Sequence, residues 1–208
     1  LHATLRHKVT RHLGQHCSEA PAAWRAVVDK NEDILTSCVF ERLAYLAGER
    51  PLAILFRCAT FVQGVPPTAE SIRESLPWPH PDGDENREPD WVFLTESMAL
   101  IVEAKWGRDN VPSLVQLTDQ VRVSAVAWPS RHRVHLAVVQ SGRPAFPPSI
   151  TAAVIRWASV HREVVRELDR ELPAHERRIL DDVREVLERR GLGGLTFDSL
   201  PDLTVEFP

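Results

Sequence analysis

The stretch "EPDWVFLTESMALIVEAKWG", residues 88–107, is mostly apolar and reads as two short strands, "WVFL" and "MALIV", joined around "TESM". Strands of this kind exist to bury Val, Leu and Ile. Yet Asp90, Glu103 and Lys105 stand at their ends. A charge carried into such a sheet is costly unless something pairs with it.

Antiparallel pairing around "TESM" sets residues whose numbers sum to 193 opposite each other, for a two- or a four-residue loop alike. Asp90 then faces Glu103 on one side of the sheet. Strand side chains alternate, so Lys105 falls on that same side. Two carboxylates at close range repel, and one takes up a proton unless a divalent cation satisfies both. Mg²⁺ suits such a pair, because it is hard and often takes one or two carboxylates plus phosphate oxygens; Mn²⁺ is the alternative. The carbonyl of Ala104 can supply a further ligand. An amine beside the metal can orient a water, or help deprotonate it, for attack on a phosphodiester. The bland alternative is a solvated Glu–Lys salt bridge at a strand end. The placement of the charges, with "MALIV" running straight into "EAK" and a proline before the aspartate, favours the metal site.

The rest of the chain places helices around this hairpin. "NEDILTSCVFERLAYLAGE" predicts a helix with Asn31 as N-cap, acids in the first turn and an apolar stripe of Ile34, Leu35, Cys38, Val39, Leu43 and Leu46. "RPLAILFRCATFV" predicts a second helix, with a buried strand as the alternative. "SLPWPHPDGDENRE" reads as an irregular edge strand or loop. "VPSLVQLTDQVRVSAVAW" predicts a helix with Leu114, Leu117, Val121 and Ala125 on one side, and "RVHLAVVQSG" a strand. "PPSITAAVIRWASVHREVVRELDREL" predicts a long amphipathic helix broken at Pro173, and "HERRILDDVREVLERRG" another. This order predicts an α/β sandwich on a small mixed sheet. It implies a single domain: a basic helical lead-in over 1–30, a core over 31–141, and a C-terminal helical extension and tail over 148–208.

Pro89-Asp90 followed by Glu103-Ala104-Lys105 resembles the signature of the PD-(D/E)-x-K nuclease superfamily. The resemblance covers roughly residues 31–141 and includes the element order. "NEDILTS" is similar to the first helix of bacterial members, where an acid joins the metal site. "VQLTDQ" resembles the glutamine motif on the helix after the E-x-K strand. The resemblance implies a restriction-endonuclease-like αβββαβ core and Mg²⁺-dependent cleavage of phosphodiesters, usually in DNA. Phage defence, restriction, repair and recombination are its usual settings. It makes Asp90 and Glu103 metal ligands and Lys105 the water-activating amine. Three acids compete for the helix position. At 100° per residue, Glu32 lies about 60° from the centre of the apolar stripe, Glu41 about 120°, and Asp33 on the far side, so Glu32 is best placed to point toward the sheet. Gln116 is preferred over Gln120 because it precedes Leu117 as in the motif.

Weaker groupings remain open. Arg131, His132, Arg133 and His135 could contact phosphate or form an exposed basic strand end. Trp78 and Trp106 could wedge against bases or pack at the rim. His12, His16 and Cys17 lack a convincing fourth ligand. Three scattered cysteines without a C-x-x-C pair suit a reducing cytoplasm rather than a structural zinc site. The chain shows no apolar run long enough to span a membrane and no signal-peptide stretch. Its net charge of -4 argues against bulk electrostatic coating of nucleic acid. Charge is uneven, however: residues 70–104 hold nine acids and two arginines, and residues 105–143 six basic residues and two acids. Cutting both strands of a duplex implies two sites, hence a homodimer or larger complex. The rival functions are a non-catalytic nucleic-acid-binding or assembly subunit with the same fold, and an RNA nuclease.

Overall fold

A computed structural model describes residues 32–79 and 88–193. The basic lead-in with His12, His16, Cys17 and Asn31, the acidic segment 80–87 and the tail from 194 lie outside the described residues. Along the chain run α1 (Glu32–Ala44), α2 (Arg50–Cys58), β1 (Ala59–Gln63), β2 (Glu74–Pro77), β3 (Trp91–Leu94), β4 (Met98–Ala104), α3 (Leu114–Ala127), β5 (His132–Val139), β6 (Thr151–Arg156), α4 (Trp157–Leu168) and α5 (Ala174–Arg189). The strands form one mixed sheet in the order β1-β6-β5-β4-β3-β2, flanked by helices. β4, β5 and β6 run parallel, and the β1–β6, β3–β4 and β2–β3 pairs are antiparallel.

The hairpin register follows the expected sum: Trp91 pairs with Val102 and Leu94 with Ala99. Every residue of β3 and β4 is buried. The "SLP" segment forms an edge strand, paired to β3 alone. It ends at Pro77, where a missing N–H does no harm.

Two expectations are corrected. The "RPLAILFRCATFV" segment is helical only to Cys58, and Ala59–Gln63 turns into the edge strand β1. Thr60, Phe61 and Val62 are β-branched or aromatic and favour the pleated surface once β6 offers a partner. The long helix expected from Pro147 onward does not begin there. Thr151–Arg156 is a strand between β1 and β5, and the helix starts at Trp157. "TAAVI" has no polar face, which suits a strand covered on both sides better than an amphipathic helix. The C-terminal segment therefore completes the sheet, and β5 is not its last strand.

One face of the sheet carries the larger core. Leu35, Val39, Phe40 and Leu43 of α1 and Leu52, Ile54 and Leu55 of α2 pack there with Trp157, Val160 and Val164 of α4 and with α5. The stripe on α1 is centred nearer Phe40 than expected. That ring meets Trp91 at 6.3 Å, Phe93 at 6.1 Å and Trp157 at 6.0 Å between centroids. Arg57 reaches from α2 to the buried Glu163 and Glu167 of α4. The opposite face carries a small cluster of Val92, Leu94, Ala99 and Ile101, with Trp128 at the end of α3. α3 buries Leu117, Gln120, Val123 and Ser124, while Leu114 is exposed. Its inner face is thus partly polar, which the expected stripe of Leu114, Leu117, Val121 and Ala125 did not contain. No helix among the described residues is long and apolar enough to cross a membrane.

Phe40 is the hub that ties α1 to the sheet. Phe40→Ala is expected to lower unfolding stability by about 3–5 kcal/mol, and Phe40→Leu by distinctly less, in denaturant titration. A loss below about 1 kcal/mol for the alanine variant would show that α1 is held by other contacts.

Candidate active site

The charged residues of the hairpin gather at the C-terminal end of β4. Glu103 is its penultimate residue and only 2% exposed. Its side chain points to the α3 face, where two glutamines one helical turn apart meet it. Gln116 Nε2 donates to Oε1 at 2.6 Å, and Gln120 Nε2 to Oε2 at 2.6 Å. The spacing of four residues puts both amides on one side of α3. Ser113 caps that helix by accepting from the Gln116 N–H at 3.1 Å, which fixes the first turn. Both glutamines therefore hold Glu103, where the sequence favoured Gln116 alone. Gln120 was legible only as a polar residue at a buried helical position. Its Oε1 is buried without a hydrogen-bond partner.

Lys105 completes the shell. Its Nζ lies 2.6 Å from Glu103 Oε1 and 3.3 Å from Glu32 Oε1. The backbone there is pinned from two sides: Lys105 N–H donates to Val138 O at 2.7 Å, and Trp157 Nε1 donates to Lys105 O at 3.0 Å. Glu32 opens α1 and also accepts from the Trp106 N–H. Of the three candidate helix acids, Glu32 is the one that reaches this cluster. Glu41 instead accepts from Ser37 of α1 and from Tyr45 just past its end.

Asp90 sits one residue before β3, beside the buried Pro89, and is half-buried. Its Oδ2 accepts from the Ala104 N–H at 2.7 Å, which ties it to the neighbour of Glu103. Ala104 itself turns its methyl into the larger core.

The electrostatics follow from crowding. Burial, and then the charge of Glu103, push the Asp90 carboxyl well above the ordinary carboxylate range; Lys105 and the Ala104 N–H oppose this. Burial likewise raises Glu103, against Lys105 and Gln120. Burial alone would lower Lys105, but Glu103, Asp90 and Glu32 together hold its amine above the usual lysine range. The amine is therefore an ammonium at neutral pH.

Asp90 and Glu103 are hard oxygen donors that crowd each other, which fits Mg²⁺ or Mn²⁺. Lys105 stands between Glu103 and Glu32, and no group of three His, Cys, Asp or Glu with metal-ligand geometry forms among the described residues. Glu32 is thus placed as a partner of Lys105 first. The other groupings resolve differently. Trp78 is buried against Trp91, with ring centroids 6.2 Å apart, so it packs the hairpin and faces no base. Trp106 is partly buried between Trp157 and Arg190.

Carboxyls with raised folded pKa values bind more protons in the folded than in the unfolded chain. Their cost is absent below the unfolded value of about 4 and grows as pH rises through the raised folded values. Metal-free stability is therefore expected to fall as pH rises through that window. Asp90→Asn keeps an acceptor for the Ala104 N–H and removes the charge. It is expected to melt at or above the wild-type temperature at neutral pH without metal, and to gain less from added Mg²⁺ than the wild type. Thermal melts with chelator and with Mg²⁺ check both; a lower metal-free melting temperature for Asp90→Asn would show the charge to be structural.

Comparison with protein-family models, with curated proteins and with solved structures finds no match to this chain.

Proposed function

We propose that this chain is a Mg²⁺-dependent endonuclease of the PD-(D/E)-x-K type that hydrolyses phosphodiester bonds in DNA. The observation that carries the reading is the convergence of Glu103, Lys105, Glu32 and the two α3 glutamines at one strand end, with Asp90 tied to the adjoining backbone. Asp90 and Glu103, with the Ala104 carbonyl, would hold the cation. When bound there, it would supply Lewis-acid polarisation of the scissile phosphate and acidify a coordinated water.

The protein's own groups have separate tasks. Gln116 and Gln120 fix both oxygens of Glu103, so the carboxylate is preorganised. Lys105, held as an ammonium by Glu103, Asp90 and Glu32 in the metal-free chain, would serve as a charged donor that orients the attacking water and offsets charge growing on the phosphate. Glu32 holds the ammonium from the α1 side and Trp157 holds the Lys105 carbonyl. The fold, an α/β sandwich with helices on both faces, accommodates the expected αβββαβ order as α1, β2, β3, β4, α3 and β5, with α2 and β1 inserted before β2.

A second reading rests on the same ion pairs: Lys105 neutralises Glu103 and Glu32, and the chain is a non-catalytic nucleic-acid-binding subunit. Lys105→Ala separates the two. If Lys105 positions water, cleavage of plasmid or linear DNA in Mg²⁺ falls by roughly 10²–10⁴, while DNA binding persists. Lys105→Arg does not restore it, because the larger guanidinium cannot take the place of the amine. The same assay with RNA substrates decides between DNA and RNA as target. Absence of Mg²⁺-dependent cleavage of any nucleic acid by the wild type, with Lys105→Ala binding equally well, would establish the second reading.

A further inference from the structure

The basic residues of β5 lie away from the acidic cluster, at the other end of the sheet. Met98 pairs with His132 and Ala99 with Arg133, whereas Glu103 pairs with Ala137. Arg133 and His135 share the parity of Ala137, so they project to the α3 face, as Glu103 does. From Glu103 back to Ala99 is four residues, about 13 Å at 3.3 Å per residue. That is about four base steps along a duplex axis.

A pocket opens there, between the start of β5, the segment after β1, the start of β6 and Val121 of α3. Its wall is built by close packing. Gly64 sits at φ +73° against Thr151, and a Cβ there would lie 2.6 Å from Thr151 Oγ1. Only glycine permits that approach.

The donors in the pocket are set in place. Arg131 Nε donates to Thr95 O at 3.1 Å, and Arg133 NH1 to Trp128 O at 3.1 Å. Each guanidinium thus spends part of its fork on a neutral carbonyl. Among the described residues, no carboxylate forms an ion pair with either. His135 is 2% exposed and lines the same pocket. Ser124 Oγ donates to Val121 O at 3.0 Å and lies 3.4 Å from His135 Nε2. With the ring proton on Nε2, that nitrogen donates to Ser124 Oγ. Nδ1 is buried without a hydrogen-bond partner. Gln63 Oε1 is buried without a partner as well, and its amide can turn to present Nε2 instead.

We propose that this pocket is a second phosphate site, which grips a backbone phosphate of the nucleic-acid strand that lies at the Asp90–Glu103 end. The assignment rests on the proposed nucleic-acid function only for the source of the phosphate. Two guanidiniums without acid partners supply the charge, and the fork geometry suits a phosphate bidentately. Burial, and then the charge of Arg133, hold the pKa of His135 down to about 4. A phosphate placed between the arginines reverses the local field, so Nδ1 takes up a proton and becomes a donor.

The test is metal-free binding of a short DNA duplex in chelator, which keeps it independent of cleavage. Arg131→Gln and Arg133→Gln are each expected to make the slope of log affinity against log salt shallower by about one. Circular dichroism confirms that each variant is folded. In parallel, nitrogen NMR of the His135 ring in the wild-type chain is expected to show its pKa rise when duplex is added. Inorganic phosphate is the control ligand. A rise with inorganic phosphate but none with duplex would overturn the backbone assignment in favour of free phosphate. Unchanged salt slopes in folded variants would likewise overturn the backbone assignment, and a His135 pKa unmoved by either ligand would overturn the site altogether. If duplex binding depends on the two arginines while no Mg²⁺-dependent cleavage occurs, the phosphate site stands and the nuclease reading fails. Cleavage with none of the arginine effects means the reverse.

Discussion

Burying the Glu103 carboxylate is the demand that the rest of the site answers. A carboxylate at 2% exposure cannot rely on water, so every stabilising donor has to come from the protein. Gln116 and Gln120 take one oxygen each, and Lys105 adds its ammonium to Oε1. This demand shapes α3: Gln116 and Gln120 meet Glu103 on an inner face that also carries Leu117, Val123 and Ser124. It fixes the loop after β4 as well, since Lys105 must fold back over Glu103 and bring the Trp106 N–H to Glu32.

The location of the cluster follows from topology. β4, β5 and β6 are parallel, so their carboxyl ends emerge together on one side of the sheet. The crevice beyond the carboxyl ends of parallel strands is where open α/β sheets gather ligands. α1 approaches that end over the larger core, and α3 approaches it over the smaller one. An acid on the first and two amides on the second therefore meet the same strand end from opposite faces. The basic pocket lies at the amino ends of β5 and β6, so the two charged regions share a face and are kept apart by the length of a strand.

The hairpin was legible because its information is local. The sum of residue numbers set the register that brings Asp90 opposite Glu103, strand parity put Lys105 on the same face, and no distant contact was needed. Glu32 was legible from helical geometry, since a 100° step per residue decides which acid can lean toward the sheet. The strand at Thr151–Arg156 was not. Ala152 and Ala153 favour helix in isolation, and the following "WASVHREVVREL" is strongly helical, so the two elements merge in a periodic reading. Only the presence of β1 and β5 on either side makes a strand of it. β1 failed for the same reason. Gln120 was passed over because a glutamine shows no sign of being buried until its acceptor is known.

A structural salt bridge and a functional site make different demands on charge. One lysine can balance one carboxylate, and Lys105 already stands against Glu103 and Glu32. Asp90 then adds a third acid. Among the described residues it forms no ion pair, and its carboxyl, which accepts from the Ala104 N–H, is pushed upward by burial and by Glu103. For stability alone, an asparagine would make the same hydrogen bond without that penalty. The metal site proposed above would account for an acid at a position where an amide makes the same hydrogen bond, because a bound cation would supply the balancing positive charge. The proposed metal site thus rests on Asp90, a crowded acid without an ion pair among the described residues, beside Glu103, which two amides and Lys105 already hold.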